Sequence, residues 1–350
     1  YGDLSHLHTA FLVESDGGKM DGFDLEKVNT DKKNGQKPNP LTYTQQSDVQ
    51  PYWDIASQSA VADNMYASVT GPSYPAHLYL IAGQASDIIG LPNGRPWGCD
   101  APAGTKTPIL VNNKQIEGPY PCFDWTTLAD ELDQAGLTWK FYAPYPTPPY
   151  PVSDWSTYLS INHIFNGPDW STHVVTPETT ILTDIQNSQL PHVSWVTPKN
   201  SNSDHADNGR DYGPSWIASI VNAVGANPQY AQNTVIFVTW DEWGGWWDHV
   251  YPPVVDEYGL GFRVPLIIAS GWTKPDYVSH VQHEFGSILR FTEENWGLNQ
   301  LSVSDGRADD LSDVFDFTAS PHPIGGINAP LKPQFFIHQP RDPNPVDTDQ

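Results

Sequence analysis

Residues 234–253, TVIFVTWDEWGGWWDHVYPP, carry the reading of the whole chain. Val235, Ile236, Phe237 and Val238 form a continuous apolar run, the pattern of a strand buried on both faces. The run ends at Asp241 and Glu242, two adjacent carboxylates at the carboxyl end of that strand. Gly244 and Gly245 then free the backbone, Asp248 and His249 follow, and Pro252 and Pro253 stop any continuation. Ligands of open α/β sheets bind at the carboxyl ends of strands. Paired carboxylates in such a place are costly unless a cation or an arginine neutralises them. A solvated acidic turn is the plain alternative; the glycine pair and the following Asp-His favour a metal site.

Working outward, strand and helix signals alternate. Residues 216–224 read as a helix feeding the central strand, and residues 263–269 (RVPLIIA) as another buried strand. Residues 284–296 give an amphipathic helix. Upstream, residues 192–196 (HVSWV) read as a strand, followed by a polar turn holding Asp204 and His205. Residues 125–136 read as a helix with Gly136 just past its end, residues 138–142 as a strand and residues 179–186 as a short helix. A helix-like spacing over 51–65 leads to GPSYPAHLYLI, where a short strand breaks at Gly71-Pro72 and Ser73 sits on the turn into a helix. A serine there can cap the helix, or expose its hydroxyl near amides that favour an anionic phosphate. Residues 24–45 are a polar surface excursion, 90–122 a Gly/Pro-rich loop, and 143–152 a Pro-rich connector. This alternation predicts an α/β fold with a mostly parallel central sheet and helices on both faces. Residues 1–318 read as one domain and 319–350 as an irregular Pro-rich tail.

The chain has 350 residues and a net charge of −24, with only 17 Lys and Arg. That balance argues against nucleic acid, whose phosphates are met by clustered basic residues, and against docking on anionic lipid. With 12% aromatics, 14 Trp and 33 Pro, the composition is globular and loop-rich. No run reaches the length of a transmembrane helix. Cys99 and Cys122 lie in the Gly/Pro-rich loop and are expected to form a disulfide. Together with the many Trp and Pro and few Lys, this predicts a secreted or periplasmic protein. The start at Tyr1 reads as a processed or truncated form.

Seven segments in this order now match one pattern: GPSYPAHLYLIAG, NHIFNGPDW, SDHADNG, FVTWDEWGGWWDHVYPP, GFRVPLIIASGW, HEFGSILRFTEENWGL and DGRADDLSDVFDF. Together they resemble the bacterial phosphoesterase family of phospholipases C and AcpA-type acid phosphatases, within the alkaline-phosphatase-like superfamily. The resemblance runs from about Asp3 to Phe317. It implies Ser73 as nucleophile, Asp241 and Glu242 with Ser73 as ligands of one divalent metal ion, and His6, His163 and His205 around the phosphate. Asp248, His249 and His283 are secondary candidates. Family members also begin with a buried strand and an ENRSFD-like motif that adds metal ligands, and this sequence has neither.

The implied activity is a phosphoric-ester hydrolase acting through a phosphoserine. A serine hydroxyl is a weak nucleophile that metal coordination activates, and imidazoles and a cation stabilise the charge on a phosphoryl group in transfer. His205 is the acid/base candidate. An acid-phosphatase-like monoesterase is the first expectation, and a phospholipase C, with Trp residues lining a choline pocket, the second. A secreted binding or assembly protein that keeps the fold without activity is the third, and would hold no stoichiometric metal. An N-terminal fragment or a strand from a partner chain is expected to complete the sheet.

Overall fold

A computed structural model of the chain describes residues 3–26, 39–146, 150, 153–206 and 212–342. Parts of the polar excursion and of the Pro-rich connector, and Asn208 and Gly209 of the turn after His205, lie outside the described residues.

The first half of the chain contains α1 (His8–Ser15), α2 (Gln50–Gln58), β1 (Ala60–Ala62), β2 (Met65–Tyr66), α3 (Ser73–Ala82), β3 (Pro108–Val111), β4 (Lys114–Glu117), α4 (Leu128–Gln134) and β5 (Trp139–Tyr142). Next come α5 (Asn162–Phe165), α6 (Pro168–His173), β6 (Val174–Val175), α7 (Thr180–Gln186), β7 (Val193–Val196), α8 (Gly213–Ala226) and β8 (Val235–Thr239). The chain then forms β9 (Leu266–Ser270), β10 (Tyr277–Ser279), β11 (His283–Glu284), α9 (Phe285–Trp296), α10 (Val303–Arg307) and α11 (Pro333–Ile337).

Local chemistry sets the helix ends. Thr127 and Asp130 form a capping box that starts α4, and Glu284 and Ser287 form one that starts α9. Gly297, at φ 66°, closes α9 in the left-handed region. In α8, Trp216, Ile220 and Val224 recur every fourth residue and are all buried.

Two sheets carry the fold. One has the order β10-β1-β9-β8 and the other the order β6-β5-β7. The second is parallel throughout, whereas β9 runs antiparallel to both of its neighbours, β1 and β8. The α/β class expected from the sequence is thus present, and its parallel character only in part. A short parallel ladder of β2 with β11 and the β3–β4 hairpin complete the strands among the described residues.

The sequence predicts β8 buried on both faces, and the structure corrects this. Every residue of β9 is buried, but Val235, Ile236 and Phe237 of β8 are only half-buried. All four residues of β7 are half-buried as well. The reason is topological: β7 ends one sheet, β8 ends the other, and a cleft of about 1350 Å³ runs between them.

The expected disulfide between Cys99 and Cys122 is formed. Beyond residue 319 the chain is irregular until α11, yet it packs closely: Ile324, Ile327, Ala329 and Phe336 are buried, and Asn222 of α8 bonds Ile327 through both backbone groups.

Candidate active site

Four loops converge at one end of the cleft. The first is the turn into α3. Gly71 precedes it because a Cβ there would lie 3.0 Å from the Ile89 carbonyl oxygen. Pro72 occupies the cap position and Ser73 is the first helical residue, its hydroxyl making no capping bond. The hydroxyl instead faces the Asp241 carboxylate closely enough to help hold it ionised.

Asp241 and Glu242 arrive on the second loop, directly after β8. Gly244 and Gly245 both have positive φ, and a Cβ on Gly245 would lie 2.4 Å from Cβ of Leu4. The glycine pair thus allows this loop to press against the third, the segment that carries His6. The His6 Nδ1–H donates to the Leu4 carbonyl (2.9 Å), which turns Nε2 towards Glu242 Oε1 at 3.7 Å. Glu242 accepts the Gly244 amide at its other oxygen (2.5 Å).

The fourth loop follows β7. It brings His205 edge-on to His6, with ring centroids 5.9 Å apart, and Trp155 covers its other side at 6.0 Å. Neighbouring Asp204 accepts a 2.7 Å bond from the Tyr52 hydroxyl. Ser73, His6, His205, Asp241 and Glu242, which the sequence singles out, therefore share one site.

One residue there escaped the sequence reading. His77 lies one helical turn after Ser73 on the same face of α3, and its Nε2 is 3.2 Å from Asp241 Oδ2. The signal was present as a Ser-x-x-x-His spacing on a helix beginning at the nucleophile candidate.

Electrostatics single out Asp241. Burial pushes its carboxyl up, but the bond and charge of His77, the Ser73 hydroxyl and the charge of His6 together bring it down to about 2. Behind the site, burial raises Glu14 to about 8 against the 2.8 Å bond it accepts from the Trp243 indole, and Glu242 adds to the rise.

The remaining candidates fall elsewhere. His163 donates or accepts at both ring nitrogens with Asp124 (2.7 Å) and Asp130 (2.9 Å), and does not line the cleft. Asp248 is gripped by Arg263 through two bonds of 2.8 and 2.6 Å, and His249 beside it is largely exposed. His283 bonds Ser279 at 2.9 Å and lies beside Asp309 and Asp313; the ligand atoms of His283, Asp309 and Asp313 lie within 4.8 Å of one another and could hold a cation. That group lies outside the cleft.

The profile of the Phosphoesterase family matches residues 1–299. The chain belongs to this family. Among curated relatives, the phosphoesterase is 25% identical to a hemolytic phospholipase C of Pseudomonas aeruginosa over 81% of its length and 44% of the relative's. It is 23% identical to phospholipase C B of Mycobacterium tuberculosis, over 92% of its own length and 65% of that protein's. The chain thus spans between about half and two thirds of the length of these relatives. Among solved structures, murine ectonucleotide pyrophosphatase/phosphodiesterase 5 aligns at a TM-score of 0.45 and 8% identity, covering 77% of this phosphoesterase and 95% of that chain.

Proposed function

We propose that this chain hydrolyses phosphoric esters through a phosphoserine at Ser73. The observation that carries this reading is the buried Ser73 at the start of α3, its hydroxyl making no capping bond, with His77 one turn on and 3.2 Å from Asp241. Ser73, ionised by loss of its proton to solvent, attacks phosphorus, the bond from phosphorus to the ester oxygen breaks, and the phosphoryl group is held on Ser73 until hydrolysis releases the serine as its alkoxide. The positive end of α3 and the imidazoles of His6 and His77 face the growing negative charge. His205 gives its proton to the departing oxygen and, once neutral, takes one from the water that cleaves the phosphoserine.

The chemistry of the donor set suits a divalent cation, although among the described residues the imidazole and carboxylate atoms drawn together for one are those of His283, Asp309 and Asp313. A carboxyl with a pKa of about 2 is a poor base at neutral pH but a good hard ligand. Asp241, Glu242 and Ser73 would hold the ion, with His77 as a nitrogen donor. When bound, the ion lowers the pKa of the serine hydroxyl and offsets phosphoryl charge.

On substrate class, the cleft favours a diester over the monoester first expected. Among the described residues lining it, Arg263 is the one Lys or Arg, and Asp248 engages it. A singly charged diester asks less of such an acidic cleft than a dianionic monoester. Trp155, Trp243 and Trp246 line it and suit a quaternary ammonium headgroup. The names of the phospholipase C relatives agree with a phospholipid diester. Assaying p-nitrophenylphosphorylcholine beside p-nitrophenyl phosphate, with metal content measured on the same sample, tests the reading. Faster turnover of the diester supports it, faster turnover of the monoester returns the first expectation, and neither activity nor bound metal would support the inactive binding protein.

A further inference from the structure

A second set of metal-ligating side chains lies away from the cleft, where β10, β11 and the loop after α10 meet. β11 pairs with β2, and the His283 amide donates to the Asn64 carbonyl (2.9 Å), so the backbone at His283 is fixed. Residues 309–313 (DDLSD) return beside it. Asp309 Oδ1 accepts the Leu311 amide at 2.8 Å, and the same oxygen stands 3.3 Å from His283 Nδ1. Asp310 accepts the Ser312 amide at 2.9 Å. The Tyr277 hydroxyl donates to Asp313 Oδ2 at 3.2 Å, and Asp313 Oδ1 stands 3.9 Å from His283 Nε2.

Two atoms of this set are buried without a hydrogen bond among the described residues: His283 Nδ1 and Asp313 Oδ1. His283 itself is only 1% exposed. Its Nε2 meets Ser279 Oγ at 2.9 Å, and that hydroxyl also accepts the Val281 amide at 3.3 Å. With the ring proton on Nε2 and donated to Ser279, the Nδ1 lone pair is left facing the Asp309 carboxylate. Metal-bound histidines are held in this way, one nitrogen on the ion and the other donating to a fixed acceptor. Two lone-pair donors face to face, with a second carboxylate close by, ask for a cation between them. Among the described residues no Lys or Arg pairs with Asp309 or Asp313. Arg290 bonds Glu294 and the Ala308 carbonyl, and Lys274 bonds the backbone carbonyl of Asp313. A second proton on the ring is the rival bridge, and burial of the imidazole opposes it against the pull of the aspartates.

We propose that His283, Asp309 and Asp313 hold one divalent transition-metal ion of the Zn²⁺ type, which ties the loop after α10 to β10 and β11. One imidazole and two carboxylates suit zinc, whereas Ca²⁺ and Mg²⁺ favour oxygen alone. Bonds of about 2.0–2.2 Å set the donors of a tetrahedral ion about 3.3–3.6 Å apart. His283 and Asp309 stand at 3.3 Å, and the whole set lies within 4.8 Å. Both aspartates are half-buried, so the ion enters from solvent, draws the carboxylates in and keeps water as its fourth ligand. None of the three residues lines the cleft, so this ion braces the fold and takes no part at Ser73.

The test is elemental analysis of the full chain after equilibration with about 10 µM Zn²⁺ and gel filtration. It compares the unaltered chain with Asp309→Asn/Asp313→Asn and with Asp241→Asn/Glu242→Gln. The proposal expects the first variant to hold one equivalent of zinc fewer than the unaltered chain, whatever the total, and the second to keep that equivalent. Zn²⁺ should also raise the Tm of the unaltered chain by about 5 °C more than that of Asp309→Asn/Asp313→Asn. Equal zinc in those two chains overturns the proposal, as does an equal rise of Tm in both or a rise given as fully by Ca²⁺. Should the variant not fold by circular dichroism, anomalous diffraction at the zinc edge of the unaltered chain decides. A peak bonded to His283 Nδ1 supports the proposal, and no peak there overturns it. A failure of the Ser73 reading leaves this comparison unchanged.

Discussion

His77 beside Asp241 and His283 between Asp309 and Asp313 are built from the same chemistry, an imidazole set 3.2 Å or 3.3 Å from a carboxylate. Their surroundings differ. His77 stands one turn from a serine whose hydroxyl meets the same carboxylate, at the mouth of a large cleft. His283 is sealed in the core, where burial lowers its pKa against the pull of Asp309 and Asp313, and its other ring nitrogen engages Ser279 at 2.9 Å. An imidazole–carboxylate pair therefore becomes a candidate for catalysis only where a nucleophile and a path for substrate meet it. The same pair in a core is a stabilising contact, and on an exposed face, as with His163 and its two aspartates, it is weaker still.

The comparison breaks most decisively at Ser73. Ser73→Ala should lower kcat by at least about 10³-fold with the fold intact by circular dichroism, because it removes the hydroxyl that faces Asp241. His77→Gln should cost about 10²–10⁴-fold in kcat with little change in Tm. His283→Gln should do the reverse, leaving kcat within about twofold and lowering stability by about 1–3 kcal/mol, read by urea unfolding. Equal losses of kcat in both histidine variants would erase the distinction. His163→Gln, at a half-exposed site, should move stability by no more than about 1 kcal/mol and leave turnover unchanged.

Glu14 gives a pH signature from behind the active site. Its pKa is raised from the usual carboxylate range to about 8, so the folded state holds a proton that the unfolded chain has released. Its contribution is present below the unfolded value and is lost as pH rises through about 8. Urea midpoints should therefore fall between pH 5 and pH 8, and Glu14→Gln should flatten that fall. A midpoint that rises over the range, or a slope unchanged in the variant, would contradict the buried, protonated Glu14.

Much of this was legible in the sequence, and for identifiable reasons. Helices α4, α8 and α9 carry 3.6-residue apolar periodicity, α4 and α9 with capping boxes, and β5, β7, β8 and β9 are mainly apolar runs bounded by turn residues, so local pattern sufficed. Strands β1, β2, β10 and β11 are two or three residues long, too short for any period, and depend on tertiary partners. The antiparallel placement of β9 and the half-buried state of β8 depend on strand order, which no local pattern encodes. Within the site, Ser73 and Asp241 were readable from turn chemistry at strand and helix ends. His77 carries no turn or strand-end signal, and only its one-turn spacing from Ser73 within α3 marks it. His163 was placed at the phosphate through its motif, while its own neighbours, Asp124 and Asp130, are far from it in sequence.

The most direct test of the central claim is to trap the phosphoryl-enzyme. The chain would be mixed with p-nitrophenylphosphorylcholine, quenched in acid within a turnover, digested and mapped by mass spectrometry. The account predicts one phosphorylcholine group on Ser73, absent from Ser73→Ala. Turnover without any such adduct, or an adduct on another residue that persists in Ser73→Ala, would contradict it.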